Sequence, residues 1–458
     1  MSAHTAPTRP ALGPVELPLS GPCERPPVRR SPYGANPTLG RHGTRARREL
    51  LDAARLMFAE RGYHGAAVEA IGEAAGRSGS SVYQYFEGKG EIFQVLVEEL
   101  RTDVLAAARQ LGALERVCRG PGALEEVEAR VAVLADVFGR HCTTFAVWPV
   151  AEQSEPALAG SYLTFVDDFA AAVRPVVEGA GVAERMERSL AIGVAAMVQR
   201  SHFARFYRGA EVDAEELNGL LARVIAMALP GVADAPPADR RVVPALPARL
   251  VGAVCAARVG AIPGVRRTVT VRNRATLDRI AAAARAVFRC RGFHGTSMND
   301  VAVSAGVSHG SVYTYWPDRS ALFTTLAHTA MVELVDHIEA APLRFGSAAD
   351  GRVWLEQWLE LMATHGAVLR IWAHEVTEDE RLTVLGEEMA TYVDSFFRRL
   401  LAAAPAAGAV NEPAAHLVLW ALLADIPYAG LMEVGVLSAQ EVLDVQTALV
   451  LRGLFGYS

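Results

Sequence analysis

Lysine is nearly absent from this chain: Lys89 is the only one among 458 residues, and arginine supplies the remaining basic side chains. Cysteine is also scarce, with five scattered residues that form no C-x-x-C pair. An odd number of scattered cysteines argues against a disulfide framework or a zinc cluster and is typical of a reducing compartment. No apolar run approaches the roughly 20 residues that cross a bilayer. The Pro- and Arg-rich start lacks the apolar core of a secretory signal. We therefore expect a cytoplasmic protein.

Apolar sequence is plentiful enough for several folded domains. Hydrophobic residues make up 51% and charged residues 21% of the chain, and its length suggests two to four domains at roughly 100–200 residues each. The net charge of −6 gives no overall attraction to nucleic acid. Any such function must therefore come from a local concentration of charge.

The chain contains an internal duplication. Residues 62–93 align without a gap on residues 292–323, at an offset of 230, with about a third of the pairs identical. The match continues weakly into the residues that follow each segment, which indicates two units of roughly 190 residues. Two repeats of this size indicate a gene fusion rather than a solenoid.

Each unit begins with a pattern of three short helices. Apolar residues at 50, 54, 57 and 58, and at 280, 284, 287 and 288, follow the spacing of an amphipathic helix. Gly62 and Gly292 stand where a glycine would end that helix. A second helix follows, and in the second unit Thr296 and Ser297 are good residues to begin it. The first unit has alanines at the same two positions, which cannot cap.

A tight turn then separates the second helix from a third in both units. Gly76 and Gly306 can adopt positive φ, and Ser78 and Ser308 can cap the next helix. The third helices, GSSVYQYF and HGSVYTYW, are small and polar at their start. Small residues let the helix N-terminus approach a phosphate, and a tyrosine hydroxyl can donate to another. The pattern indicates a DNA-reading helix-turn-helix.

These residues resemble the N-terminal signature of the TetR family of transcriptional regulators, over about fifty residues in each unit. The resemblance implies an all-α fold of two TetR-like units. Each unit would combine a three-helix helix-turn-helix DNA-binding module with a helical ligand-binding and dimerisation domain. The implied domains are a disordered arm at 1–40, DNA-binding modules at 41–98 and 272–328, regulatory domains at 99–230 and 329–458, and a linker at 231–271.

In that family the third helix enters the major groove, and Thr, Tyr and Lys positions contact phosphates. In the first unit the predicted DNA contacts are Arg45, Arg47, Ser78, Gly79, Ser81, Tyr83, Gln84, Tyr85 and Lys89. In the second they are Thr296, Ser308, His309, Gly310, Ser311, Tyr313, Thr314, Tyr315 and Arg319. Gln84, His309 and Thr314 are the candidates for base edges. Alternatively, Tyr83 and Tyr313 belong to the three-helix core, and Arg45 and Arg47 to a solvated helix start.

The first module departs further from the family pattern. It has Arg77 where an aliphatic residue is usual and Ser80 where glycine is usual, while the second replaces the lysine by Arg319. From 266 to 330 there are nine arginines and three acidic residues, whereas from 44 to 100 there are seven basic and nine acidic residues. Counter-ion release therefore predicts tighter DNA binding by the second module.

The sequence GVSHG at 306–310 also satisfies the hydrolase pattern G-x-S-x-G. That motif needs a strand before the serine and acid and histidine partners, whereas Ser308 is flanked by helical patterns. The first unit has GRSGS at the aligned position, which breaks the pattern. No H-E-x-x-H motif, Walker loop or metal-ligand spacing is present either. We expect neither an enzyme nor a metal or other cofactor.

The regulatory halves are predicted to be long helices around an effector pocket. The last two helices of each, about 184–208 and 214–229, and 412–434 and 439–456, would form a four-helix dimer interface in a TetR-like protein. Capping boxes at Asp213 and Ser438 support the start of the last helix in both units. The candidate pocket residues are Phe138, Phe145, Trp148, Phe165 and Phe169, and Trp354, Trp358, Met362, Trp372, Met389 and Tyr392. The alternative interpretation of each is an ordinary core residue. Such a lining suits an apolar or aromatic small molecule.

Fusion of two units allows one chain to supply both reading helices. The expected function is a ligand-responsive regulator, most simply a repressor, that binds double-stranded DNA as an intramolecular pseudo-dimer. Because the two third helices differ, the half-sites should differ as well. Two alternatives stay open: a homodimer of the tandem chain, and a ligand-sensing or protein-interaction scaffold with one degenerate module.

Overall fold

The computed structural model describes residues 41–114, 123–179, 182–207, 211–229, 265–266, 271–374, 380–407, 411–425 and 437–457. Within these ranges the regular secondary structure is helical throughout, which confirms the all-α fold class. Among the same residues, no helix combines the length and apolar character needed to span a membrane.

The first half of the chain contributes nine helices to this description. They are α1 (Arg41–Gly65), α2 (Val68–Ala74), α3 (Gly79–Val82), α4 (Lys89–Gly112), α5 (Ala123–Arg140), α6 (Cys142–Ser154), α7 (Ser161–Gly179), α8 (Glu184–Tyr207) and α9 (Ala214–Ala228). A short 3-10 turn, Pro156–Leu158, separates α6 from α7.

The second half repeats this order. Its helices are α10 (Val271–Arg291), α11 (Met298–Ala305), α12 (His309–Tyr313), α13 (Arg319–Ala340), α14 (Ala348–His374), α15 (Glu380–Ala403), α16 (Glu412–Trp420) and α17 (Ala439–Gln446). The last two continue as π-helical segments, Ala421–Asp425 and Thr447–Leu454.

Contacts group the described residues into two compact units. Unit 1 contains the residues up to Arg101 together with His141–Tyr162, and unit 2 contains Thr102–Arg140 and the residues from Leu163 onward. Unit 1 thus holds the first helix-turn-helix module and α6, while unit 2 holds the second module and most of both regulatory halves. The predicted arm at 1–40 and nearly all of the predicted linker at 231–271 lie outside the described residues.

The predicted glycines end the first helix of each module. Gly62 interrupts α1 with φ 65°, and Gly292 follows α10 with φ 66°. Each glycine is followed by a buried aromatic ring, Tyr63 or Phe293, that packs into the three-helix core. The ring of Phe58 stacks on Tyr63, and the ring of Phe288 stacks on Phe293. Positive φ at glycine therefore turns the chain so that the next aromatic residue enters the core.

Within unit 2, the last helices of the two halves pack against each other. Helix α8 contacts α16 and α17, and α9 contacts α16 and the segment Thr447–Leu454. Close approach depends on two glycines. A Cβ at Gly193 of α8 would overlap the side chain of Val445, and one at Gly453 would lie 2.6 Å from the Val224 carbonyl oxygen.

Two of these four helices, α9 and α17, begin directly after the residues that were predicted to cap them. Ser438 and Glu441 form a full capping box at the start of α17. Asp213 accepts hydrogen bonds from the backbone N–H groups of Glu215 and Glu216, but the Glu216 carboxylate accepts from the Asn411 side chain. The expected box at Asp213 is therefore only half formed, because Glu216 bonds to the other half of the chain. The predicted extension of α16 to 434 runs beyond the described residues.

Candidate nucleic-acid interface

The third helix of each module presents its polar start to the surface. In α12, Ser308, His309 and Gly310 are exposed, and the inward-facing Val312 is buried. In α3, Ser78 and Ser80 are exposed and Val82 is buried. A single buried valine thus anchors each short helix on its module. The exposed side chains around its start are available to a partner.

The two tyrosines that follow the buried valine by one position are also at the surface. Tyr83 is 39% and Tyr313 is 38% exposed, so neither side chain is buried in the three-helix core. Gln84 and Thr314, the next residues along the chain, are exposed as well. The alternative assignment of these tyrosines to the core is not supported by their exposure, and their contact with phosphate stays a prediction.

The turn of the second module is built as its sequence predicts. Gly306 takes φ 62° at the end of α11. Ser308 then caps α12, since its hydroxyl accepts from the backbone N–H of Ser311 at 3.2 Å. Helix α11 begins with a capping box in which Ser297 and Asp300 satisfy each other's backbone N–H groups. The second module therefore has side-chain caps on both helices of its helix-turn-helix.

The first module has the same turn without the caps. Gly76 takes φ 67°, which matches Gly306. Ala67 and Ser78 occupy N-cap positions, but neither side chain makes a capping hydrogen bond. The expectation for Ala67 is confirmed, whereas the expected cap at Ser78 is wrong. The Ser78 hydroxyl lies 3.0 Å from that of Ser80, the residue that replaces the usual glycine. The N-terminus of α3 thus lacks the side-chain cap that stabilises the N-terminus of α12.

Lys89 and Arg319 perform equivalent tasks inside their modules. The Lys89 ammonium donates to the Tyr63 carbonyl oxygen at 2.8 Å and lies over the Tyr63 ring at 4.5 Å from its centroid. The Arg319 guanidinium lies 4.4 Å from the centroid of the Phe293 ring and donates to the carbonyl oxygens of His294 and Thr296. Both cations therefore brace the loop after the first helix. Any contact of theirs with a phosphate must be made in addition to these bonds.

Three other predicted contacts also have internal roles. Thr296 is 3% exposed, and its hydroxyl donates to the Gly292 carbonyl oxygen at 2.7 Å. Tyr315 is buried at 7% exposure, and Tyr85 is half-buried. Sequence alone did not separate Tyr85 and Tyr315 from the exposed Tyr83 and Tyr313, because each pair lies two positions apart in the same short stretch.

The cations at the start of α1 lie close to the first turn. Glu49 accepts from Arg45 Nε at 2.8 Å and from Arg77 Nη2 at 2.8 Å. The Arg77 hydrogen bond, followed by that of Arg45, lowers the pKa of the Glu49 carboxyl. Arg47 lies over the Phe86 ring at 5.1 Å. The unusual arginine in the first turn thus ties the turn to α1 through Glu49.

The five candidate pocket residues of the first half are all buried, but they divide between the two units. Phe145 and Trp148 belong to unit 1, where the Trp148 indole donates to the Ser161 hydroxyl at 3.0 Å. Phe138, Phe165 and Phe169 belong to unit 2, where the Phe169 ring contacts both of the others at 6.3 Å between centroids.

The six candidates of the second half are also all buried, and they lie in α14 and α15. Trp354 and Trp358 are in contact, with 5.7 Å between ring centroids. His337 of α13 stacks on Trp354 and contacts Trp358 at a tilted angle. Trp358 Nε1 donates to the Leu423 carbonyl oxygen at 2.8 Å, in the π-helical extension of α16. Met362, Trp372, Met389 and Tyr392 complete the set.

Two nitrogen atoms of this aromatic cluster are buried without a hydrogen-bond partner in the described part of the chain. They are Trp354 Nε1 and His337 Nε2. Burial lowers the pKa of His337, which keeps the ring neutral at pH 7. Because unpaired buried polar groups are costly, they mark a place where a ligand or water could bond.

The fold and these two surfaces define a class: an all-α protein with two helix-turn-helix modules in one chain. The family model described as "Bacterial regulatory proteins, tetR family" matches twice, at residues 50–96 and 280–326. These matches cover α1–α4 and α10–α13 in part, including both glycine turns and both reading helices. The chain therefore contains two segments that match the tetR-type N-terminal domain, one in each half.

Curated relatives resemble only part of the chain. Over 77 residues it is 36% identical to the HTH-type transcriptional repressor AcnR of Corynebacterium glutamicum, which is 17% of this chain and 40% of that protein. Over 75 residues it is 36% identical to AcnR of Corynebacterium efficiens, covering 16% of this chain and 39% of the relative. The chain thus spans about 40% of the length of the curated relatives it matches.

Similarity to solved structures extends over about the length of one sequence repeat, at low identity. A TetR-like transcriptional regulator from Rhodococcus sp. RHA1 aligns with 22% identity and a TM-score of 0.31. The alignment covers 40% of this chain and 96% of the Rhodococcus chain.

Proposed function

We propose that this chain is a DNA-binding transcriptional regulator, and specifically a repressor, that uses both helix-turn-helix modules on one operator. The observation that carries the proposal is the exposed, small-residue start of α3 and α12, each preceded by a positive-φ glycine. A helix N-terminus with small side chains suits a phosphate, and the exposed residues that follow suit base edges. The curated relatives with the matching segment are named as transcriptional repressors.

We further propose that the two halves act as an intramolecular pseudo-dimer. Support comes from unit 2, where α8 and α9 of the first half pack on α16 and α17 of the second. The four helices are those predicted to form a dimer interface between separate chains. Packing within one chain occupies this surface, so a second copy is not needed to bury it. Because α3 and α12 differ in sequence, the operator half-sites should differ as well.

The regulatory half of the second repeat, residues 329–458, is the proposed effector site. The aromatic cluster of His337, Trp354 and Trp358 suits a planar apolar molecule, and Trp354 Nε1 offers a hydrogen bond to an acceptor on it. Trp358 also donates to the Leu423 carbonyl oxygen in the π-helical extension of α16, one of the interface helices. An effector that displaced this tryptophan would therefore alter the interface between the halves.

Selection of a binding sequence from random duplexes tests the proposal. The full chain should select one asymmetric sequence at moderate salt, and a gel shift should give a specific complex. On a column calibrated for mass, the free chain should elute near 49.0 kDa, whereas a homodimer would elute near twice that mass. Failure to select any sequence would contradict the DNA-binding proposal. Elution as a dimer would contradict only the pseudo-dimer.

A scaffold with one degenerate module is the second candidate, and the first turn favours it. Neither Ala67 nor Ser78 caps its helix, and residues 44–100 carry more acidic than basic side chains. Tyr83→Ala and Tyr313→Ala separate the candidates because both tyrosines are similarly exposed. If both modules bind DNA, each substitution should weaken the selected complex. If the first is degenerate, Tyr83→Ala should leave the affinity unchanged.

A further inference from the structure

We propose that Arg266, which sequence analysis placed in the linker, is an additional phosphate-binding residue of the second module. This inference rests on the proposed DNA-binding function. Its starting point is a single contact, in which the backbone N–H of Arg266 donates to the Tyr315 carbonyl oxygen at 2.7 Å. The chain before α10 is thereby attached to the end of the reading helix, 49 positions further along the sequence.

The contact places Arg266 beside the surface residues of α12. Tyr315 comes directly after Thr314, the C-cap residue of α12, and two positions after Tyr313. Because the backbone of Arg266 is hydrogen-bonded to Tyr315, the Cα of Arg266 lies close to the end of α12. The Cα is less than one residue length, roughly 3.8 Å, from the bonded nitrogen. The long arginine side chain therefore starts next to the two exposed residues predicted to contact DNA.

The charge of Arg266 is also available to a ligand. Its side chain is exposed, and no acidic side chain in the described ranges pairs with it. Two other arginines of the module are already engaged: Arg319 bonds to two carbonyl oxygens, and Arg291 pairs with Asp300 at 2.7 Å. Arg285 is half-buried, and this burial lowers its pKa. The nine arginines counted in this region thus overstate the cations that can reach a phosphate, and Arg266 is one that can.

The chemistry favours a phosphate over a base edge. Arg266 is attached by its backbone, while its side chain makes no second hydrogen bond in the described residues that would orient it for a bidentate contact. A guanidinium that is free to reorient is attracted to the phosphates of the DNA backbone, and such a contact does not distinguish one base sequence from another. We therefore expect its contribution to be the same for every DNA sequence.

Salt titration of the full chain tests the inference. Affinity for the duplex selected by the wild type, and for a scrambled duplex, is measured between 50 and 300 mM salt. Arg266→Ala should weaken binding several-fold to both duplexes and reduce the slope of log K against log salt by about 0.9, the value for one phosphate contact. Arg266→Lys should keep the wild-type slope, because the charge stays. The Ala variant retains the backbone N–H, so the contact with Tyr315 is preserved.

Arg344→Ala is the matched control. Arg344 is an exposed arginine of unit 2, in the connection between α13 and α14. Its loss removes the same charge from the regulatory half and should leave the slope unchanged. An unchanged slope for Arg266→Ala would overturn the inference, as would a loss restricted to the selected duplex, which would indicate base reading. If the wild type selects no duplex at all, the proposed function itself fails, and that outcome is distinct from both.

Discussion

Gly193 of α8 lies directly against Val445 of α17, so that a methyl group at position 193 would overlap the valine Cγ1 atom. Val445 is fully buried and β-branched, so it has little freedom to move aside. The contact joins the first half of the chain to the second within unit 2. Glycine at this position therefore sets how closely the two halves can pack.

Gly193→Ala should destabilise unit 2 by forcing these helices apart. The matched control is Gly219→Ala on α9, where the nearest atom to an added Cβ is the flexible Glu128 carboxylate, at 3.0 Å. Both substitutions replace a helical glycine and gain the same roughly 1 kcal/mol of helix propensity. Overpacking costs about 1–3 kcal/mol, so the Gly193 variant should be less stable than the Gly219 variant by that amount. Urea denaturation measures the difference, and equal stability would show that the halves are not tightly packed at this point.

Loss of a cap should weaken the second module. Ser297→Ala removes the hydroxyl that accepts from the Asp300 N–H at 3.2 Å. We expect a loss of about 1 kcal/mol, which is typical of an N-cap serine. The reverse change is available in the first module, because Ala67 already has the extended backbone of an N-cap, φ −79° and ψ 149°.

Ala67→Ser should therefore stabilise the first module by up to about 1 kcal/mol. Proteolytic susceptibility of each module, followed by mass spectrometry of the fragments, locates the change. If Ala67→Ser were neutral while Ser297→Ala cost stability, the backbone at 67 would not be preorganised for a cap.

Local sequence signals predicted several helix starts and ends. Glycines at 62, 292 and 306 and caps at 297, 308 and 438 act within a few residues, so their effect can be read from short patterns. The partners of Lys89 and Arg319 could not be predicted in this way. Both positions match a phosphate-contact pattern, but their hydrogen bonds to the loop after the first helix depend on how three helices pack.

The role of Arg266 was hidden for a similar reason. Its neighbours in sequence are typical of a linker, and its contact with Tyr315 joins residues 49 positions apart. The π-helical continuations of α16 and α17 also lack a local signal. Gln446 Nε2 and Trp358 Nε1 donate to the Leu422 and Leu423 carbonyl oxygens in the first of these segments, so side chains from other helices satisfy groups that the altered helix exposes.

Tyr63 makes a hydrogen bond in unit 1 that its equivalent in the second module, Phe293, cannot make because phenylalanine has no hydroxyl. The Tyr63 hydroxyl donates to the Glu155 carboxylate, which follows α6, whereas the equivalent ring in the second module is Phe293. Burial and this neighbouring carboxylate raise the pKa of Tyr63, so the phenol stays protonated and remains a donor. Tyr63→Phe should cost about 1.5–3 kcal/mol, the range for a hydrogen bond to a charged group.

Tyr83→Phe is the control for this substitution, since it removes the same hydroxyl from an exposed ring. Its effect on stability should fall within about 0.5 kcal/mol of zero. Thermal denaturation of both variants gives the comparison. Equal melting temperatures for the two variants would mean that the bond to Glu155 does not stabilise unit 1.

Acid should weaken the contact between α8 and α9. His202 of α8 is buried, with Nε2 3.0 Å from Asn218 Oδ1 of α9. Burial lowers its pKa from 6.5 to about 4, and the charge of Arg205 adds to this effect. At a pH between about 4 and 6.5, His202 is therefore protonated in the unfolded chain but neutral in the folded chain. Stability from the neutral ring is complete above pH 6.5 and is lost as the pH falls towards 4.

His202→Gln should remove part of this acid sensitivity, because glutamine keeps a polar side chain but does not titrate. Free energies of unfolding measured from pH 7.5 to 4.5 should fall less steeply for this variant than for the wild type. His42→Gln, at an exposed position of α1, should leave the wild-type slope unchanged. Burial also lowers the pKa values of His328 and His365, so some acid sensitivity must persist in the His202 variant. A slope identical to that of the wild type would mean that His202 is accessible to protons in the folded protein.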